Sequence, residues 1–224
     1  MSSSENSLPG KSTEQADDSQ PQQSAKPVDD SQPQQKTATK APEKKSSSGF
    51  SREILETVAL TVLIFLAIRF TVQNFQVDGP SMQPGLHTGE YVLVNKLAYT
   101  FHQPARGDVI VFELPGDPSE NLIKRVIGLP GDKLVITPNS VTINGVTINE
   151  PYISAPNGPP AETVTVPANE YFVMGDNRPV SDDSRDWGLL PRDDIIGEAV
   201  MVYWPISDWE SINTYQSVYT QVKP

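Results

Sequence analysis

The chain has 224 residues, with 28 Asp and Glu against 17 Lys and Arg, two His, 21 Pro and no Cys. Without cysteine there is no disulfide framework, no thiolate nucleophile and no cysteine-based zinc site. A net charge of −11 argues against a nucleic-acid partner, because phosphate binding depends on Lys and Arg neutralising the backbone.

Residues 1–52 are expected to form a disordered tail. Up to residue 49 the only large apolar side chains are Met1, Leu8 and Val28, too few to offset the entropy of ordering the backbone. DDSQPQQ occurs twice, at 17–23 and 29–35, and reads as duplicated low-complexity sequence. Residues 1–52 hold seven basic and seven acidic side chains, whereas 70–224 hold nine and nineteen. The acidity therefore belongs to the part that folds.

Residues 53–75 read as a transmembrane helix. The uncharged core, Thr57 to Ile68, has only 12 residues, short of the roughly 20 that a spanning helix needs. Glu56 and Arg69 lie near its ends, where long side chains can snorkel to the headgroups, so the whole stretch from Ile54 to Phe75 is long enough. Lys36, Lys40, Lys44, Lys45 and Arg52 precede it, and no Lys or Arg occurs between Phe70 and Asn95. The positive-inside rule then places the tail in the cytoplasm and residues 76–224 outside. The segment begins too late for an ordinary cleaved signal, so the anchor is expected to persist.

Beyond it the helical period gives way to short runs rich in Val, Ile, Tyr and Phe: 91–94, 109–112, 123–127, 133–136, 141–148, 170–174 and 197–204. Pro and Gly punctuate them, which predicts a mostly β domain over 76–224, a compact antiparallel sheet or barrel-like unit. Asn144-Gly145 between two alternating segments marks a tight hairpin. The proline-rich stretch Pro151–Pro167 is expected to run over the surface. Trp204, Trp209, Tyr203 and Tyr215 fit either a core or a membrane-interface belt.

Four segments carry chemistry-bearing residues. In Asp78-Gly-Pro-Ser-Met-Gln-Pro-Gly-Leu86, a serine on a Gly/Pro turn can present a free Oγ beside backbone N–H groups; an ordinary turn is the plain alternative. In Leu122-Ile-Lys-Arg-Val126, strand alternation sends Lys124 and Arg125 to opposite faces, so one points inward while the other stays in solvent. A buried Lys can lose its proton and act as a base, which Arg cannot; a surface pair on an edge strand reads the same residues without chemistry. Met174-Gly-Asp-Asn-Arg-Pro-Val-Ser-Asp-Asp-Ser-Arg-Asp-Trp-Gly188 reads as an ion-paired loop rather than a metal site, because two guanidiniums compete for the carboxylates; Ser181 or Ser184 could donate hydrogen bonds there. Glu90–Tyr99 with Arg106–Phe112 reads as scaffold, and neither His87 nor His102 has an Asp partner at motif spacing.

The ordered set GPSMQPGL, YVLVNK, RGDVIVF, IKRVIGLPGD and GDNRPVSDDSR resembles the bacterial type I signal (leader) peptidases, serine proteases of the Ser/Lys dyad class, over most of residues 54–204. The resemblance implies a membrane-bound endopeptidase that cuts signal peptides from exported preproteins after small residues, through an acyl-enzyme, with no metal or organic cofactor. Its partners would be preprotein signal peptides and the lipid bilayer. Its location would be single-pass in a cell membrane or an internal one such as a thylakoid. Ser81 matches the nucleophile, Lys124 the general base, Ser181 the serine that orients the lysine, and Asp176, Asp183 and Arg185 the residues that support the site through ion pairs. The Ser81 amide would be one oxyanion donor. Many relatives carry a second hydroxyl two positions before the nucleophile; here that position is Gly79, as in Gram-positive members. Two other readings stand beside this one: a serine hydrolase using His87 or His102 with an Asp, and a catalytically silent anchored β module that binds exported chains.

Overall fold

The computed structural model describes residues 48–158 and 161–223; the expected disorder of residues 1–47 and the DDSQPQQ repeat lie outside them, while residues 48–52, expected as the end of the disordered tail, instead begin a helix. The chain enters through α1 (Ser48–Thr71). Its apolar side chains are spread round the whole helix and exposed, and Phe50–Thr71 is 22 residues long, about 33 Å at 1.5 Å per residue, enough for a hydrocarbon core of about 30 Å. The hydroxyls of Thr57, Thr61 and Thr71 donate to carbonyls one turn back, so they leave no polar group unpaired in an apolar setting.

The helix stops four residues before the end expected for it. Val72–Gln76 form β1, paired antiparallel with β2 (Tyr91–Asn95). The apolar count runs on through Phe75, but the local pattern changes: Gln73 and Asn74 are exposed while Phe75 is half-buried, and the Lys96 amide donates to the Thr71 carbonyl, closing the helix end. Strand pairing therefore takes over where the amide side chains begin.

Two antiparallel sheets follow. The larger contains β3 (Val109–Leu114), β4 (Asp117–Gly128), β9 (Glu170–Met174), β10 (Leu190–Pro191) and β11 (Ile195–Trp204) in the order β1-β2-β11-β3-β4-β9-β10, with β12 (Glu210–Ser211) on β11. The smaller has the order β7-β6-β5-β8, from β5 (Lys133–Thr137), β6 (Ser140–Ile143), β7 (Val146–Thr147) and β8 (Glu162–Thr165). Two short helices, α2 (Ala98–Phe101) and α3 (Ser184–Trp187), complete the regular structure. The predicted hairpin forms between β6 and β7. Asn144 (φ 48°) and Gly145 (φ 84°) both occupy the left-handed region that a two-residue turn of this hand requires.

Three apolar clusters fill the domain. Ile127, Leu134, Ile136, Phe172 and Tyr219 join the two sheets; Val77, Met82, Leu86, Val92 and Val109 pack beneath the segment after β1; Ile110, Phe112, Tyr171 and Leu190 fill the far side of the large sheet. One expectation is corrected here. Pro151–Pro167 is not a surface loop: Tyr152 and Asn157 are buried, and Glu162–Thr165 pairs with β5. The prolines break regular structure locally, but the Tyr152 ring and the Asn157 side chain find buried guanidinium partners in Arg125 and Arg178. Trp204 and Trp209, for their part, are exposed.

Candidate active site

Ser81 sits on a turn fixed at both ends. Val77 donates to the Glu90 carbonyl and Gly89 returns a bond to Val77, while Gln83 and Leu86 donate to Pro80 and Met82. Met82 and Leu86 are buried in the cluster under this turn, so apolar burial clamps the residue that follows the serine. Gly79 has φ 88°, a conformation costly for any side chain with a Cβ. The Ser81 carbonyl accepts from the Asn177 amide at 2.9 Å, and Asn177 Nδ2 donates to the Pro80 carbonyl at 3.1 Å. Among the described residues the Ser81 amide has no hydrogen-bond partner.

Lys124 comes from the middle of β4, which is a central strand between β3 and β9. Its Nζ lies 3.1 Å from Ser81 Oγ and donates to its own neighbour's carbonyl, Ile123 O, also at 3.1 Å. Burial pushes its pKa below the ordinary lysine value, against the pull of the Asp183, Asp182 and Glu120 carboxylates. The expectation that Arg125, on the opposite face, stays in solvent is wrong: both side chains are buried, each residue only 3% exposed. Both faces of β4 are covered at this point, Arg125 by Asp176 and the Tyr152 and Tyr215 rings and Lys124 by the Ser81 turn, so alternation distributes the two cations without exposing either.

Arg125 grips Asp176 with two parallel bonds, Nε to Oδ1 at 2.8 Å and Nη2 to Oδ2 at 2.7 Å. Its remaining nitrogen donates to the Gly107 and Asn213 carbonyls, and its face lies 4.5 Å from the Tyr152 ring centroid. Asp183 caps α3 and is held by Arg185 through Nε and Nη2, both at 2.8 Å; its Oδ2 also accepts from the Gly175 amide at 3.0 Å. Arg185 further donates to the carbonyls of Asn157 and Arg178 at 2.7 Å. Ser184 Oγ accepts from the Val173 amide.

Ser181 is placed differently from the role implied for it. Its hydroxyl is buried and has no hydrogen-bond partner among the described residues; the second contact of Lys124 Nζ goes to Ile123 O instead. Ser181 nevertheless lies at the site, because a Cβ added to Gly175 would fall 2.2 Å from Ser181 Oγ and 2.5 Å from the Ser81 carbonyl oxygen. Gly175 is thus the point where the acidic loop touches the nucleophile turn.

Sequence reading passed over Arg178, which is 1% exposed. It donates through Nε to the Gly175 carbonyl at 3.0 Å and through its other nitrogens to Glu150 and Asn157. The one signal available was its place in GDNRPVSDDSR, a loop too short to solvate so many charges separately. Both histidines are exposed and neither bonds Ser81: His87 faces Glu90 at 3.3 Å, and His102 contacts the Gln103 carbonyl. Among the described residues no group of three or more His, Asp or Glu is placed to hold a metal ion.

Ser81 and Lys124 line a cleft of about 90 Å³ between Phe75–Asp78 and Asn121–Ile123, floored by Val92 and Val111. A buried amine beside a hydroxyl, in a small apolar-walled cleft, suits proton abstraction from that hydroxyl and attack on a carbonyl carbon.

Residues 51–204 match the family described as signal peptidase, peptidase S26. A signal peptidase I of Leptolyngbya laminosa is 40% identical over 163 residues, 69% of this chain and 80% of that protein. A probable signal peptidase I-2 of Synechocystis is 35% identical, covering 69% and 73%, and signal peptidase IB of Staphylococcus aureus is 33% identical, covering 70% and 91%. The solved structure of a signal peptidase I from Enterococcus faecalis has 34% sequence identity and covers 43% of this chain and 96% of its own, with a TM-score of 0.39.

Proposed function

The chain belongs to the signal peptidase family, peptidase S26, and we propose that Ser81 and Lys124 form its catalytic pair. As a member it is a serine endopeptidase that removes signal peptides from preproteins. The observation that carries the assignment of the pair is the 3.1 Å separation of Lys124 Nζ and Ser81 Oγ, with the amine buried and its pKa lowered.

The neutral amine accepts the Ser81 proton as Oγ attacks the scissile carbonyl carbon. The oxyanion forms against the free Ser81 amide; position 79, being glycine, offers backbone only. When the tetrahedral adduct collapses, the Lys124 ammonium passes its proton to the leaving amine, leaving an acyl-serine. Water then gives a proton to the neutral amine as it attacks the ester, and the ammonium returns that proton to Oγ when the acid departs. Asp176, Asp183 and Arg185 act at a distance, holding the Gly175 to Arg185 loop against the Ser81 carbonyl. Ser181 contributes a buried hydroxyl beside Gly175. The small cleft and its Val and Ile walls favour small residues before the cut.

We infer that α1 spans a membrane, a cell membrane or an internal one such as a thylakoid, with the tail in the cytoplasm and residues 76–224 outside. This reading is supported by the length of α1 and by the lysines that precede it. The lipid bilayer is then a constant partner, and nucleic acid is not one. The test is cleavage of a preprotein by detergent-solubilised full chain, comparing the parent with Ser81→Ala and Lys124→Ala. Each substitution is expected to cost about 10⁴-fold or more in kcat; near-parent turnover in Lys124→Ala would remove the lysine base and return the histidines to consideration.

A further inference from the structure

We propose that Glu150 is a positioning residue for the Ser81–Lys124 reaction, setting the depth of the nucleophile from the second sheet; this rests on Ser81 being the nucleophile. The connection leaving β7 presents three side chains to two buried guanidiniums, Glu150 and Asn157 to Arg178 and Tyr152 to both Arg125 and Arg178. Glu150, with its side chain 4% exposed, pairs with Arg178, whose own side chain is wholly buried. Tyr152 places its ring 4.5 Å from the Arg125 guanidinium and 6.0 Å from that of Arg178, and its hydroxyl donates to Glu150 Oε1 at 2.7 Å. Asn157 accepts from Arg178 and is anchored in turn by Nδ2 to the Thr137 carbonyl at 2.9 Å.

The two arginines act on adjacent residues of the catalytic loop. Arg178 Nε holds the Gly175 carbonyl at 3.0 Å, and Arg125 holds the Asp176 carboxylate. This dipeptide is also the one in closest approach to the nucleophile: Gly175 leaves no room for a Cβ against the Ser81 carbonyl, and the next amide, Asn177, donates to that carbonyl. The path from Glu150 therefore runs through Arg178 and the Gly175 peptide to Ser81. Before it reaches Ser81, none of its members (Glu150, Arg178 and Gly175) lines the cleft between Phe75–Asp78 and Asn121–Ile123. A residue with these contacts governs where Oγ stands relative to Nζ, and leaves substrate binding alone.

The test compares full-length parent, Glu150→Gln, Glu150→Asp and Ser81→Ala in preprotein cleavage, with kcat and KM separated and the folded fraction measured by thermal unfolding. Glu150→Gln keeps the shape but removes the charge that fixes Arg178, and a displacement of about 1 Å at a reacting group lowers rates on the order of 10²-fold. We expect kcat to fall about 10- to 100-fold with KM within about twofold of the parent. Glu150→Asp, which keeps the carboxylate, should recover part of the loss, and it carries the test if the glutamine variant does not fold. Folded variants with kcat within twofold of the parent, or activity lost only in proportion to folded protein, would overturn the proposal. An inactive Ser81→Ala beside active Glu150 variants sinks this inference alone, whereas an active Ser81→Ala sinks the nucleophile assignment beneath it.

Discussion

Gly175→Ala is the most direct probe of how the acidic loop and the nucleophile turn fit together. The new methyl group would lie 2.5 Å from the Ser81 carbonyl oxygen, 2.2 Å from Ser181 Oγ and 2.6 Å from Ser181 Cβ. The hydroxyl can rotate away, but the Ser181 Cβ and the Ser81 carbonyl cannot. Ordinary contact begins near 3.4 Å, so the carbonyl must retreat by about 0.9 Å (3.4 less 2.5). A shift of that size at the nucleophile predicts a loss in kcat on the order of 10²-fold. Overpacking of this kind costs about 1–3 kcal/mol, or roughly 2–4 °C in midpoint per kcal/mol for a domain of this size, so the variant should remain folded. Initial rates of preprotein cleavage and a thermal scan would be measured beside Gly116→Ala, a turn glycine at φ 92° whose Cβ would meet nothing within 4 Å, so that it carries backbone strain without a clash and should lose stability but not turnover. The reasoning fails if Gly175→Ala, folded, cleaves within threefold of the parent.

Two further outcomes follow from the same geometry. Because burial lowers the pKa of Lys124 and the neutral amine is the base, kcat/KM should rise with pH through the folded-state pKa and fall on the acid side as the amine is protonated; a rate flat from about pH 5 to pH 9 would contradict a titrating amine. Asp176→Asn leaves the 3% exposed Arg125 without its anion and should cost about 3–5 kcal/mol in urea unfolding. A loss below about 1 kcal/mol would show that the carbonyls of Gly107 and Asn213 and the tyrosine face suffice to hold the guanidinium.

Sequence reading reached the parts of this protein whose signals are local. Asn144-Gly145 announces its hairpin because both residues tolerate positive φ, and the apolar run after the tail announces a long helix because no charge interrupts Thr57 to Ile68. The pair Ser81 and Lys124 stood out through motif order rather than through any property of either residue alone. What sequence could not give was burial of charge. Arg125 was free to face water on alternation alone; it is buried because Tyr152, Asp176 and Tyr215 close over that face of β4 from remote segments of the chain. Glu150 and Tyr152 flank Pro151 at the start of a proline-rich stretch that looks like surface, and only the arrival of Arg178 and Arg125 from distant segments gives them partners. Phe75 was counted with the helix because apolar content does not distinguish a helix end from the first strand of a sheet.

These buried charges bear on the chemistry more than on the stability of the domain. Lys124 has to lose its proton inside a region, residues 70–224, that carries nineteen acidic side chains against nine basic ones. A single unpaired carboxylate about 4 Å away, at an effective dielectric of about 20, favours the ammonium by about 4 kcal/mol, or about three pK units, which is comparable to what burial takes away. Yet the loop that braces the nucleophile is rich in carboxylates, and Asp183 does pull on the amine. Each buried carboxylate that holds this loop is gripped by its own guanidinium: Asp176 by Arg125, Asp183 by Arg185 and Glu150 by Arg178. Pairs of this kind add little to stability compared with apolar packing. They let a short polar loop make rigid, directional contacts to the Ser81 carbonyl while its negative charge is cancelled close to its source, so desolvation rather than the surrounding acidity decides the state of Lys124.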